Sequence, residues 1–206
     1  MTPEEVADRL GLAVRALKST GGAPQALEHP EPADIVVGVD DGRDWRRAVL
    51  DVPAAAWRAA ARAGRDEPDL DLSYFDWLSG VDEQDAGFAV VTHLWSVRHR
   101  HGALLRTRVP RAQPRLPSLV PVFAGAAWHE RETYEMFGVV FDEHPDLKPL
   151  LLPDGFAGHP LRKDFVLASR VAKEWPGAKE PGESHTGATR RRMRPPGVPE
   201  DWPRDA

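Results

Sequence analysis

His129 and Glu130 stand side by side, Arg131 separates Glu130 from Glu132, and Glu135 follows, so acid, base and cation are concentrated in one short run. The order His-Glu opens like the zinc-protease motif H-E-x-x-H, in which two histidines one helical turn apart hold the metal and the glutamate acts as base. The second histidine would be residue 133, and Thr133 stands there, so the motif fails. His99 and His101 point to one side of an extended segment but lack a nearby third ligand, and a hairpin tip is the better reading. His144 and His159 each precede a proline, where an imidazole fixes a turn or makes an interface hydrogen bond more often than it moves protons.

Nucleic-acid chemistry is no better supported. Gly155-Phe156-Ala157-Gly158 matches the bare G-x-x-G of KH domains, yet Pro153 and Pro160 stand where flanking helices are needed. Arg190, Arg191, Arg192 and Arg194 lie among prolines and glycines and read as a docking or disordered tail. A net charge of −5 opposes a surface built for nucleic acid, and partners are expected to be proteins. With no cysteine, the chain cannot supply thiolates to an iron–sulfur cluster, a disulfide or a cysteine-type zinc site. Neither a Walker loop nor a dinucleotide-binding glycine fingerprint is present. The start, MTPEEVADRL, does not read as a signal peptide, and no stretch approaches the roughly 20 apolar residues of a membrane span.

The elements that must position these residues follow from periodicity. Thr2-Pro3-Glu4-Glu5 starts a helix whose apolar face is Val6, Leu10, Val14 and Leu17, ended by Gly21-Gly22. Ile35 to Val39 and Trp45 to Val52 read as hairpin strands around Asp40-Asp41-Gly42. Pro53 to Arg62 is an alanine-rich helix closed by Gly64. Leu70, Leu72 and Tyr74 alternate as a third strand; Phe88 to Val97 is apolar on both parities, as in a strand covered on two faces. Leu105, Thr107 and Val109 form a following strand, and Pro110, Pro114 and Pro117 end the sheet. Ser118 can cap a helix, or a pair of short helices, running to Phe137 and stopping at Gly138. The expected fold is α+β, a mainly antiparallel sheet with packed helices over 1–138, followed over 139–206 by a long extended proline-rich C-terminal arm that holds ten of the twenty prolines.

On the last helix, Glu130 falls between Ala127 and Tyr134, and Glu132 between Trp128 and Met136, so both carboxylates adjoin apolar surface. A carboxylate stranded there is costly, and it needs a partner. The expectation is that HPLRKDF folds back so that Arg162 meets Glu130 or Glu132, while Arg131 reaches Glu135.

From Trp128 to Phe165 the chain resembles the thirty-kilodalton subunit family of the proton-pumping NADH:quinone oxidoreductase, respiratory complex I, in which it is also known as the C subunit. The resemblance is carried by Glu130-Arg131-Glu132 with Tyr134, Met136, Phe137 and Gly138, then Phe141 and His144-Pro145-Asp146-Leu147. Gly158-His159-Pro160-Leu161-Arg162-Lys163-Asp164-Phe165 completes it. Two positions depart from the family pattern: Lys148-Pro149 stands in place of a basic pair, and Val166 follows RKDF where proline is usual.

The resemblance implies a structural subunit of the peripheral arm, without catalytic residues and without cofactors of its own. Iron–sulfur clusters, FMN, NADH and quinone would belong to partner subunits, with the D, B and I subunits as neighbours. It also implies a peripheral place on the cytoplasmic side of the bacterial plasma membrane, reached only through the assembly. The signature residues would then be interface residues. The nearest alternative is the homologous scaffold of a membrane-bound hydrogenase or of an oxidoreductase using another donor. A free-standing metal hydrolase using His129 and Glu130, and an RNA-binding module using the arginine tail, are readings of different classes.

Overall fold

The computed structural model of the chain describes residues 1–18, 35–42 and 46–166. Helix α1 (Pro3–Lys18) begins on a reciprocal cap: the Glu5 amide donates to Thr2 Oγ1 at 3.3 Å and the Thr2 amide to Glu5 Oε2 at 2.8 Å. Val6, Leu10 and Val14 are buried, whereas Leu17 is 44% exposed. Strands β1 (Val36–Asp40) and β2 (Arg47–Asp51) pair antiparallel, and the Gly42 amide donates to Asp40 Oδ1 in the turn between them. The expected stop at Gly21-Gly22, Trp45, and the chain beyond Val166 fall outside the described residues.

Helix α2 (Trp57–Asp66) follows a single 3-10 turn at Ala54–Ala56. Gly64 does not close it, since the helix continues to Asp66. Gly64 instead lies buried in its last turn, where an added Cβ would press Leu10 and Leu72, each at 3.2 Å. The glycine is there for close approach. Leu70 and Leu72 are fully buried but precede the strand, and β3 runs Tyr74–Asp82 with a register shift between Phe75 and Trp77. That bulge is why alternation fails at Phe75 and Trp77.

Strands β4 (Phe88–Ser96) and β5 (His101–Val109) complete a five-stranded sheet in the order β1-β2-β5-β4-β3. Three of its junctions are antiparallel; β2 and β5 run parallel. On the inner face, Leu78, Thr92, Leu105, Leu50 and Val37 stand in one cross-strand row beneath the helices. On the outer face, the neighbouring row is Trp77, His93, Leu104, Val49 and Gly38. Val91, His93 and Trp95 are half-buried, so the expected double cover of β4 is found on one face only. α1 packs over β1, β2 and β5, α2 touches β5, and α3 (Ala126–Phe137) packs against β3.

Two short strands that period alone does not reveal, β6 (Arg115–Pro117) and β7 (Val140–Asp142), form a parallel pair. Val139 and Phe141 are buried, so the chain just after Gly138 still packs into the core. Ser118 is not the helix cap. Residues 118–125 form turns, and α3 starts at Ala126.

Candidate functional site

Helix α3 ends where Gly138 takes a left-handed conformation (φ 77°, ψ 21°) and donates its amide to the Tyr134 carbonyl at 2.8 Å. The last carbonyls of a helix have no partner within it. Here the segment Gly158–Phe165 supplies the missing donors. His159 Nδ1 donates to the Glu135 carbonyl (2.9 Å), the Leu161 amide to Met136 (3.2 Å), and Arg162 Nε to Phe137 (2.6 Å). The His159 bond requires the proton on Nδ1. A side chain at 138 would collide with the Arg162 guanidinium and the His159 ring, so this glycine answers both to its backbone angle and to space.

Arg162 therefore does not meet Glu130 or Glu132, as the spacing of charges suggested. Its guanidinium caps the helix and lies over the Phe88 ring at 5.1 Å. A favourable bond to a carbonyl at the negative end of a helix dipole takes the place of the expected ion pair. Glu130 is fully buried and finds neutral donors: Ser118 Oγ and the Leu119 amide, each at 2.6 Å. Burial pushes its pKa up to about 7, against the opposing pull of those two bonds and of the Arg58 charge. Arg58 holds the same corner from α2, donating Nε to the Ser118 carbonyl at 2.7 Å and Nη1 to Glu143 at 2.9 Å.

Arg131 does not pair with Glu135 either. It donates to the carbonyls of Lys148 (2.9 Å) and Pro149 (2.8 Å). Glu135, 5% exposed, accepts the amides of Leu151 (2.7 Å) and Leu152 (2.9 Å). Prolines at 149 and 153 keep this segment out of helix and sheet, so its amides need side-chain acceptors. His144 serves the same end: Nε2 donates to the Ala127 carbonyl at 3.1 Å, and Nδ1 accepts the Asp146 amide at 3.0 Å. Pro145 is exposed beside it and Leu147 packs partly buried against the core.

The end of the arm is tied to the sheet. The Lys163 amide donates to Asp82 Oδ2 (2.8 Å), Asp82 also bonds Arg111, and Arg111 pairs with Asp164 at 3.2 Å. Burial alone would raise the Asp82 pKa, but the amides of Lys163 and Gln84 together with Arg111 hold it below the ordinary carboxylate value. Phe165 stacks on Phe156 with ring centroids 6.0 Å apart, and Gly158 (φ 93°) gives that ring room. Tyr134 faces His159 edge-on, and Met136 and Phe137 are buried on the core side. Pro160 is half-buried, while Leu161, Lys163 and Asp164 are exposed.

The structure thus gathers Arg131, Met136, Phe137, Gly138, His144, His159, Leu161, Arg162 and Lys163 into one docking arrangement around α3. Glu132 stands apart, exposed. Asp82, Arg111 and Ser118 are not legible as functional side chains in the sequence, and Glu135 is legible only as a partner for Arg131, although a proline-rich stretch with unpaired amides follows it. Among the described residues, no three side chains are placed to hold a metal, and no helix is long and apolar enough to cross a membrane. His99 and His101, far from α3, stack at 5.6 Å; His101 is buried rather than at a surface tip, and its Nε2 meets the Leu70 carbonyl at 2.8 Å. Burial lowers its pKa.

Residues 50–171 match the family model described as respiratory-chain NADH dehydrogenase, 30 Kd subunit. A protein of Nocardioides sp., named as the C subunit of NADH-quinone oxidoreductase, is 36% identical over 181 residues, 86% of this chain and 66% of the relative. Its counterpart in Leptothrix cholodnii is 39% identical over 138 residues, 63% of this chain and 69% of that one. The chain spans less than two thirds of the Nocardioides relative and of those from Herpetosiphon aurantiacus (61%) and Roseiflexus castenholzii (64%). Among solved structures, a chain of a membrane-bound sulfane sulfur reductase, described as an archaeal respiratory membrane complex, aligns with TM-score 0.54 and 27% identity, covering 63% of this chain and 77% of its own.

Proposed function

Because the chain belongs to the 30-kilodalton subunit family of the respiratory-chain NADH dehydrogenase, we propose that it is a structural subunit of complex I, holding redox neighbours in place without reacting itself. The observation that carries this reading is the arm. Between His144 and Val166 no residue is fully buried, yet α3 fixes the segment through hydrogen bonds from both its backbone and its side chains. Leu151 (61% exposed), Leu161 (55%) and Val166 (63%) are left facing outward. An ordered segment that spends polar groups on its own body and leaves these three apolar side chains outward, while Leu147 and Leu152 rest against the core, fits a surface made to be covered by another protein.

In this reading the body is residues 1–138 and the arm begins at 139, its first residues still anchored in the core. The residues Glu130–Gly138, His144–Leu147 and Gly158–Phe165 build or present the interface. Electron transfer from NADH to quinone, coupled to proton translocation, is then an activity of the assembly. Iron–sulfur clusters, FMN, NADH and quinone lie in partner subunits, with the D, B and I subunits as neighbours. The chain sits on the cytoplasmic side of the bacterial plasma membrane, peripheral and held by the complex.

The likeness to a chain of the sulfane sulfur reductase favours one second reading, a homologous scaffold in a related respiratory membrane complex. Purification of the tagged full chain from its own cells under mild detergent separates these. Recovery with quinone-site, iron–sulfur and NADH-oxidising subunits supports the first, and recovery with a nickel–iron centre or a sulfur-reducing partner supports the second. A stable monomer active on its own would overturn both.

A further inference from the structure

Four of the seven tryptophans lie in the described residues, and three have neighbours that account for them. Trp57 is fully buried. Trp77 stacks on His93 at 6.2 Å, and His93 lies 6.1 Å from Trp95, whose ring closes over Gly102. Trp128 is different: it is 66% exposed and pairs with no other ring among the described residues. Glu132, one turn further along α3, is also exposed, and among the described residues it has no hydrogen bond or ion pair. The other two carboxylates of the helix are engaged, Glu130 by Ser118 and Leu119 and Glu135 by Leu151 and Leu152.

The position of this pair on the helix is informative. At about 100° per residue, Trp128 and Glu132 share one stripe. On one side, Arg131 and Glu135 are covered by the arm; on the other, His129 meets the backbone of Leu78 in β3. The stripe is the strip of α3 left open between arm and sheet. Leu151, exposed beside the amide anchored by Glu135, adds an apolar margin.

We propose that Trp128 and Glu132 form a receptor for one arginine side chain of a partner protein in the assembly, its guanidinium lying over the indole face and forking onto the carboxylate. This rests on the assembly reading above and deepens it. A planar cation is the group that can use both halves at once: it stacks on tryptophan and pairs two-pronged with a carboxylate, whereas an ammonium offers a point charge and no plane. Side chains four apart on a helix are neighbours, about 6 Å between Cβ atoms, which suits a single guanidinium. The free negative charge selects a cationic partner and repels phosphate. Trp and Arg are also the side chains that most often anchor protein interfaces.

The test places a photo-crosslinking p-benzoylphenylalanine at Trp128 in one full-length variant and at Leu161 in another, each assembled in the cell and irradiated in the purified complex. The expected result is that both crosslink to partner subunits, that the Trp128 adduct maps beside an arginine, and that substituting that arginine by glutamine weakens binding of the unlabelled chain as Trp128→Ala does, with no further loss when the two substitutions are combined. Glu132→Gln and Trp128→Ala, both at exposed positions, should each weaken binding of the chain to the purified complex lacking it by roughly 5- to 30-fold. A crosslink from position 161 alone would overturn the receptor and leave the assembly reading intact. Crosslinks from neither position would overturn both. A Trp128 adduct with a segment lacking arginine, or with a second copy of this chain, would overturn the chemistry proposed for the partner.

Discussion

Along the inner row of the sheet, Leu78, Leu105 and Leu50 are packed against helices with 0–1% of their surface exposed. Between His144 and Val166 no side chain reaches that state: Leu147 and Leu152 only rest part-buried against the core, and most of what fixes the chain is hydrogen bonds, to α3 through carbonyls 127, 135, 136 and 137, the Glu135 carboxylate and the Arg131 guanidinium, and to the sheet through Asp82. The body is ordered by removing apolar surface from water, which is non-directional and collective. The arm is ordered by satisfying backbone groups that proline-broken geometry and a helix end leave open, which is directional and divisible. The arm should therefore open locally at a lower free energy than the body, and single polar substitutions should loosen it without unfolding the rest.

The largest effect should come from the body. Leu105→Ala is expected to lower global stability by about 2–5 kcal/mol, read as a fall in the denaturant midpoint with an unchanged slope. A loss under about 1 kcal/mol would mean that the inner row is not the core.

Next is the buried carboxylate joining α3 to the 118–119 turn. An acid whose folded pKa is raised binds its proton more tightly in the native state. The stability tied to Glu130 is thus complete below its ordinary value of 4.5 and declines as pH rises toward about 7. The span corresponds to a loss on the order of 3 kcal/mol. In Glu130→Gln, whose amide can accept from Leu119 or Ser118, that slope should flatten between pH 4.5 and about 7. An unchanged pH profile would contradict the assignment.

Smaller effects separate the arm from the body. Glu135→Ala strands the Leu151 and Leu152 amides, and about 1–3 kcal/mol of local protection should be lost there while the global midpoint moves less. Equal losses in both regions would dissolve the distinction drawn here. Asp82→Asn should loosen the Lys163 end by about 1 kcal/mol, read as faster exchange of the Lys163 amide. Because the native pKa of Asp82 is lowered, its contribution is present above the ordinary carboxylate range and disappears as pH falls through the native value. Acid should therefore release the arm's end while it relieves the body at Glu130.

The same contrast explains what could be read from sequence. The capping box at Thr2–Glu5, the buried face of α1, the β1–β2 hairpin and the stop of α3 at Gly138 are local signals, and the structure contains them. Charge spacing pairs Arg162 and Glu135 with the wrong groups because their partners are backbone atoms 25 and 16–17 residues away, and every residue carries such atoms. Side-chain type says nothing about which carbonyl a helix end will leave open. Strands β6 and β7, three residues each, are too short to show a period, and the parallel junction of β2 with β5 depends on contacts spanning α2 and two intervening strands. The motifs Glu130–Gly138 and Gly158–Phe165 were visible as a signature; that they face each other was expected, and how they do so was not.

Hydrogen exchange measured on the full chain alone and in the purified complex tests the central claim most directly, at the amides of Leu151, Leu152, Leu161 and Lys163. These amides should be protected in the isolated chain, less than those of β4 and β5, and assembly should slow them further. Arm amides that exchange freely in the isolated chain, or that assembly leaves unchanged, would contradict that claim.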